Sequence, residues 1–161
     1  MEVRKIQWKP LLISIAIPLA VGGLSALITK SGMEAFAQVA KPPLTPPDWL
    51  FPIAWGILYV LMGIASYLVF QTEETSGDGR LSALTLYAVQ LVFNFLWSVF
   101  FFNMQWYLFS FAWLVALWVL IFLTMKEFFS LSKTAGYLLL PYLLWVSFAG
   151  YLNLGVYLLN R

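Results

Sequence analysis

Three polar side chains recur at helical spacing inside an otherwise apolar stretch of the chain. Gln90, Asn94 and Ser98 occupy positions i, i+4 and i+8, with Trp97 beside them, so an α-helix would place the three on one face. Their amide and hydroxyl groups form hydrogen bonds, and an amide without a partner in hydrocarbon costs several kcal/mol. We therefore predict that this face points into the protein, where it either binds a ligand or hydrogen-bonds to neighbouring helices.

Aromatic residues elsewhere shift the balance toward a ligand pocket. Trp55 and Tyr59 lie one helical turn apart, and Trp145, Ala149 and Asn153 recur every four residues. Counted along each helix at 1.5 Å per residue, these groups are predicted at mid-depth of a helical bundle or in the half nearer the proline-rich loop. A flat apolar ligand would gain about 0.5–1.5 kcal/mol from each stacked aromatic pair, beyond the burial of its surface.

Glycine and proline complete the predicted pocket. Gly22 begins the run GGLSA, a small-residue surface that lets a helix or a flat ligand approach closely, and Gly22-x-x-x-Ala26 is also a weak helix-dimer motif. The segment PPLTPP ends in Pro46 and Pro47. Prolines fix φ and lack a backbone donor, so this segment is suited to be a stiff lid. Alternatively, or in addition, it caps the next helix, with Asp48 as N-cap and Pro52 in the first turn.

The composition excludes most conventional catalysis. The sequence contains no cysteine and no histidine, which removes thiolate nucleophiles, imidazole bases and the commonest zinc and haem ligands. Every aspartate and glutamate falls in a tail, in a loop or at a helix end, so no proton relay and no metal site is predicted. The net charge of +2 is too small for a nucleic-acid footprint, and no nucleic-acid partner is expected.

Long apolar helices must position these side chains. The 161-residue chain is 62% hydrophobic and 10% charged, against roughly 25% charged residues in soluble domains, so we predict an integral membrane protein. A bilayer core needs about 20 apolar helical residues, and five stretches meet that length. They predict an all-α fold, one domain over residues 1–161 that is a bundle of five transmembrane helices. The predicted spans are 11–29, 50–70, 81–102, 106–125 and 135–159, with the first loop at 30–49.

The basic residues near the span ends predict the orientation. With five spans, one face of the membrane receives Arg4, Lys5, Lys9, Arg80, Lys126 and Lys133, and the other receives Lys30, Lys41 and Arg161. Because cytoplasmic loops are enriched in Lys and Arg, we predict a cytoplasmic N-terminus and an outward-facing first loop. The first apolar stretch is longer than the 7–15 residues of a typical signal-peptide core, so we expect it to be a retained helix.

Three segments resemble a known family. They are KPPLTPPDWLFPIAWGILYVLMGIASYLVF at 41–70, QLVFNFLWSVFFF at 90–102 and LLLPYLLWVSFAGYLNLGVY at 138–157. In order and span count the chain resembles the translocator protein or tryptophan-rich sensory protein (TspO/MBR) family, from Trp8 onward. The lysine-proline loop followed by Trp, Pro and W-x-x-L-Y carries most of this resemblance.

The resemblance implies a five-helix bundle, usually dimeric, whose cavity is closed by the first loop. It implies binding of tetrapyrroles such as protoporphyrin IX and, in some members, of sterols, other lipids or benzodiazepine-type ligands. Trp55 and Trp145 match the cavity tryptophans linked in bacterial relatives to light-dependent porphyrin breakdown. Further matches are Tyr59, Asn94, Trp97 and Ala149 on the cavity wall, and Pro46 and Pro47 in the loop. The expected location is a bacterial cell membrane, and no cofactor is required beyond the porphyrin as ligand.

Three functional hypotheses follow. The first is a membrane protein that binds porphyrin or a related lipophile as a sensor, sink or regulator. The second is an enzyme that degrades porphyrin with light and oxygen, in which Trp55 and Trp145 would be the catalytic residues. The third is a transporter of lipid or porphyrin, or a membrane scaffold.

Overall fold

The described chain is helical and contains five membrane-length helices. The computed structural model describes residues 5–72 and 78–161, and within them no strand occurs. Arg4, which entered the orientation prediction, lies outside these residues. The predicted all-α fold is confirmed, and the chain is an integral membrane protein. The helices are α1 Trp8–Ile28, α2 Lys30–Phe36, α3 Leu50–Phe70, α4 Asp78–Ser98, α5 Tyr107–Leu131 and α6 Lys133–Asn160.

Helix α4 does not stop where its α-helical geometry ends. A π-helical turn, Val99–Asn103, continues it, so the apolar helix Gly79–Asn103 is 25 residues long. The chain then reverses over 104–106, where Gln105 has a positive φ of 55°. The polar residues of this segment therefore form the short connection between two spans.

The short helix α2 was not anticipated, because 30–49 reads as one loop. Its sequence KSGMEAF contains a serine and a glycine, which are weak helix formers, so tertiary packing must stabilise it. Gly32 is buried, and a Cβ there would lie 2.5 Å from the carbonyl oxygen of Phe102. Only glycine allows α2 to pack this closely on the end of the π-helical turn.

The start of α3 differs in part from the prediction. Pro52 lies in its first turn, as expected, but the N-cap residue is Trp49, with no side-chain cap hydrogen bond. The prediction of Asp48 as N-cap is therefore wrong. A proline near a helix start leaves one fewer orphan N–H group, which makes a side-chain cap less necessary.

The five long helices form a ring in the order α1, α3, α6, α5 and α4, and α4 meets α1 only loosely. Gly63 permits the tight packing of α1 on α3, because a Cβ there would overlap the backbone of Ile15. The half of the bundle that contains the N-terminus of α1 is solid, with Met62, Ile121 and Phe128 almost fully buried. The other half, under the first loop, is hollow.

Candidate functional site

A cavity of about 770 Å³ occupies the half of the bundle beneath the first loop. Its wall comes from α1, the first loop with α2, α3, the end of α4 with its π-helical turn, and α6. Pockets for small molecules and cofactors span about 300–1,000 Å³ and are mostly apolar. This cavity has the size and the lining of such a pocket.

Eight of the twelve predicted site residues lie on the cavity wall, and four do not. Those on the wall are Gly22, Trp55, Tyr59, Trp97, Ser98, Trp145, Ala149 and Asn153. Gln90, Asn94, Pro46 and Pro47 are not among the lining residues. The structure thus brings together residues from four separate helices while it separates Ser98 from the two amides that share its helix.

The aromatic part of the wall has two centres, on α3 and on α6. The Trp55 ring stacks on Tyr59, with centroids 5.6 Å apart and planes 29° apart, and meets the edge of Tyr142 at 6.3 Å. On α6, Trp145 contacts Phe51 edge-to-face at 6.0 Å. The Nε1 atom of Trp145 is buried and has no hydrogen-bond partner among the described residues. A buried indole N–H usually has a partner, so this unpaired donor is an exception on a side chain that lines the cavity.

The amides of Gln90 and Asn94 hold helices together behind this wall. The Tyr59 hydroxyl donates to Asn94 Oδ1 at 2.8 Å, and Asn94 Nδ2 donates to the Tyr142 hydroxyl at 2.8 Å. That hydroxyl donates in turn to Gln90 Oε1 at 2.7 Å. The chain of hydrogen bonds joins α3, α4 and α6 at the floor of the cavity.

Helical geometry explains why Ser98 lines the cavity and Gln90 does not. Residues four apart differ by about 40° around an α-helix, so eight positions turn the side chain by about 80° and move it about 12 Å along the axis. Ser98 is therefore level with the hollow half, whereas Gln90 lies in the solid half. Of the two interpretations of this polar face, hydrogen bonding between helices describes Gln90 and Asn94.

A second polar contact fixes the far side of the cavity. Trp97 Nε1 donates to Asn153 Oδ1 at 3.0 Å, and Asn153 Nδ2 donates to the carbonyl oxygen of Tyr107 at 2.8 Å. Trp97 also stacks on Phe101 with centroids 5.0 Å apart. These side chains present apolar surface to the cavity, because their polar atoms are engaged within the protein.

The first loop is fastened to the C-terminal part of α6. Asn160 forms two hydrogen bonds with the backbone of Ala40: its Oδ1 accepts from the N–H at 3.0 Å, and its Nδ2 donates to the carbonyl at 2.8 Å. The Tyr151 hydroxyl donates to the carbonyl oxygen of Pro43 at 2.7 Å. Between them, Gly155 leaves room for the ring of Pro42, which a Cβ would meet at 2.6 Å. The loop thus covers the cavity through Thr45 and Asp48 rather than through Pro46 and Pro47.

Sequence reasoning missed the charged residues of the wall. Lys30, Glu34, Lys41 and Asp48 all line the cavity on its first-loop side. Their signal was present, because four charged side chains in nineteen residues stand out in so apolar a chain. The prolines of the same loop favoured the interpretation that the loop is only a stiff lid.

The residues that line this cavity are suited to binding a ligand. Within residues 5–72 and 78–161, no group of three or more potential metal-ligating His, Cys, Asp or Glu side chains occurs. The wall offers indole, phenol and phenyl rings and a charged rim. These groups suit a large, flat, apolar ligand.

Comparison with known proteins matches nearly the whole chain. A sequence model of the TspO/MBR family matches residues 14–159. Tryptophan-rich protein TspO of Chlorobaculum tepidum is 42% identical over 151 residues, which cover 93% of this chain and 95% of that protein. A protein of the same name from Archaeoglobus fulgidus is 40% identical over 93% of this chain and 96% of its own. Translocator protein of Bos taurus is 33% identical over 91% and 87% of the two chains. The matched residues include every one that lines the cavity.

Proposed function

The chain belongs to the TspO/MBR family, and we propose that this integral membrane protein binds a tetrapyrrole such as protoporphyrin IX in the cavity under the first loop. In this role it would act as a sensor, sink or regulator of porphyrin. The proposal depends on one observation: a cavity of about 770 Å³ is walled by Trp55 on α3 and Trp145 on α6. A planar macrocycle gains from offset stacking on such indoles.

The composition of the chain favours a metal-free porphyrin over haem. The sequence has no histidine and no cysteine, which are the commonest protein ligands of haem iron. The ligand is therefore expected to be held by aromatic stacking and by burial of its apolar surface rather than through an iron atom.

A titration of the purified protein in detergent with protoporphyrin IX tests the proposal. Tryptophan fluorescence quenching and porphyrin absorbance are followed together in the dark. Gly56 supplies a variant that fills the cavity, because it lies on the wall and a Cβ there would meet nothing within 4 Å. We expect Gly56→Leu to weaken binding at least about tenfold, equivalent to about 1.4 kcal/mol.

A matched control separates the cavity from the tryptophan content of the protein. Trp118 stacks on Phe122 at 5.8 Å and is not among the residues that line the cavity. Trp55→Leu is expected to weaken porphyrin binding by about two- to twelvefold, from one lost aromatic pair, whereas Trp118→Leu leaves it unchanged. Equal affinity in the wild type, Gly56→Leu and Trp55→Leu would place the porphyrin outside the cavity and overturn the proposal.

A second candidate function is light-dependent breakdown of the bound porphyrin. The observation that favours it is the stacked pair of Trp55 and Tyr59 on the cavity wall, which puts two oxidisable rings beside the ligand position. Illumination in air should then bleach the porphyrin Soret band faster with the wild-type protein than with Trp55→Phe/Trp145→Phe at equal porphyrin occupancy. Equal bleaching rates would leave binding alone.

A further inference from the structure

The charged residues of the cavity wall are confined to its mouth. Lys30, Glu34, Lys41 and Asp48 line the cavity from the first loop and α2, and every other lining residue is uncharged. Two cations and two anions give this rim no net charge. Any preference for a charged ligand must therefore come from how each group is placed.

Of these four side chains, Lys41 alone makes a hydrogen bond or a ring contact within residues 5–72 and 78–161. Its Nζ lies 3.3 Å from the carbonyl oxygens of Ala37 and Val39 and 4.8 Å from the centre of the Phe36 ring. These carbonyl contacts are long for hydrogen bonds to nitrogen, and an ammonium group has three donors. Lys41 is thus fixed at the mouth with donor capacity to spare.

No carboxylate neutralises this ammonium group within the described part of the chain. Neither Lys41 nor Lys30 has an Asp or Glu oxygen within 4.0 Å of its Nζ among residues 5–72 and 78–161. Glu34 and Asp48 are exposed, whereas Lys41 is half-buried. Solvent screens exposed charges strongly, and a half-buried charge keeps more of its field. The electrostatic preference of the mouth is therefore for an anion at Lys41.

We propose that Lys41 Nζ binds a carboxylate of the ligand at the mouth of the cavity while the apolar body of the ligand lies between the indoles. This inference rests on the proposed porphyrin-binding function and assigns the contact for the acid group of the ligand to one residue. A fatty acid has the same chemistry at one end. Competition between protoporphyrin IX and a fatty acid distinguishes the two sources of the carboxylate.

The first test compares protoporphyrin IX with its dimethyl ester, which has the same ring and no carboxylate. The wild-type protein is expected to bind the acid about tenfold more tightly than the ester, the lower end of the range for a charge-assisted hydrogen bond. Lys41→Met should lower affinity for the acid about tenfold and leave affinity for the ester unchanged. Lys41→Arg keeps the charge and should retain most of the preference for the acid.

Lys126 supplies the matched control. It is exposed near the end of α5, on the face of the bundle opposite the cavity mouth, and Lys126→Met should bind both porphyrins as the wild type does. Far-UV circular dichroism and gel filtration establish that each variant is folded. Equal binding of acid and ester by the wild type, or equal weakening of both in Lys41→Met, would overturn the carboxylate contact while leaving porphyrin binding intact.

Three further outcomes are distinguishable. If neither porphyrin binds the wild type, the proposed function fails together with this inference. If a cationic porphyrin binds more tightly than the acid, Glu34 and Asp48 govern the mouth and the inference is overturned. Oleate and oleyl alcohol are compared as competitors. If only oleate displaces protoporphyrin IX from the wild type, and neither displaces it from Lys41→Met, a fatty acid uses the same lysine, which supports the carboxylate contact. Absence of that displacement assigns the contact to the porphyrin.

Discussion

Replacing Asn94 by leucine is expected to destabilise the bundle and leave porphyrin affinity almost unchanged. Asn94 is 2% exposed and lies behind the cavity wall, where it accepts a hydrogen bond from Tyr59 and donates one to Tyr142. Leucine is close to asparagine in size, so the main change is the loss of these two hydrogen bonds between helices. The substitution therefore separates a residue that holds helices together from one that binds ligand.

The expected loss follows from the two bonds. Hydrogen bonds between membrane helices contribute about 0.6 kcal/mol each on average and at most about 1.7 kcal/mol. Asn94→Leu should thus lower the free energy of unfolding by about 1.2 kcal/mol, and by no more than about 3.4 kcal/mol. Tyr59→Phe removes only one of the bonds and should cost about 0.6 kcal/mol. In a double-mutant cycle the shared bond should appear as a coupling of about 0.6 kcal/mol.

The free energies of unfolding are measured in mixed detergent micelles at rising SDS fraction, with unfolding followed by circular dichroism. Titration with protoporphyrin IX measures affinity, which we expect to stay within about threefold of the wild-type value for Asn94→Leu. Ser98→Ala, on the cavity wall, is the matched polar deletion on the same helix. A variant Asn94→Leu that unfolds like the wild type but binds porphyrin ten or more times more weakly would refute this account.

Three further predictions concern the lid, the packing and the far wall. Asn160→Ala removes two exposed hydrogen bonds to the first loop and should raise the porphyrin dissociation rate about fivefold, measured by stopped-flow release into excess detergent. Unchanged release would show that the loop does not gate the cavity. Gly63→Ala should lower the free energy of unfolding by about 1–3 kcal/mol, because the added Cβ overlaps the α1 backbone. In the control Gly56→Ala the added Cβ meets no atom within 4 Å, so the free energy of unfolding should stay near the wild-type value. Trp97→Phe keeps the aromatic wall but removes the hydrogen bond to the Asn153 amide oxygen. It should lower the free energy of unfolding by about 0.6 kcal/mol in the same SDS assay, with little effect on porphyrin affinity. A large loss of affinity would instead place the indole N–H in the binding site.

The spans and the aromatic wall could be predicted because each depends on a local pattern. Twenty consecutive apolar residues leave few alternatives to a transmembrane helix, and Trp55 with Tyr59, or Trp145 with Ala149, share a face whatever the neighbouring helices do. Position along the helix axis was harder to assign. Asn94 and Ser98 also share a face, yet only Ser98 is level with the cavity, because the boundary between the solid and hollow halves depends on how five helices pack together.

The first loop shows the other limit of sequence reasoning. The stiffness of its proline run is local and could be inferred, but its attachment is not local: Ala40 pairs with Asn160, and Pro43 with Tyr151, across more than a hundred residues. The prediction of the α3 N-cap was wrong for a related reason, since Asp48 lines the cavity mouth instead of capping the helix. In each case a tertiary contact determines the local conformation, and the local sequence is compatible with more than one.

The size of the cavity sets how this half of the bundle can bind anything. A cavity of about 770 Å³ is large enough to admit water or lipid chains when no ligand occupies it. Binding of a porphyrin is then an exchange, and its apparent affinity reflects how much better than a lipid chain it stacks on Trp55 and Trp145. The polar atoms of Trp97 and Asn153 stay paired with each other throughout, so the exchange need not break the contacts that keep the wall in place.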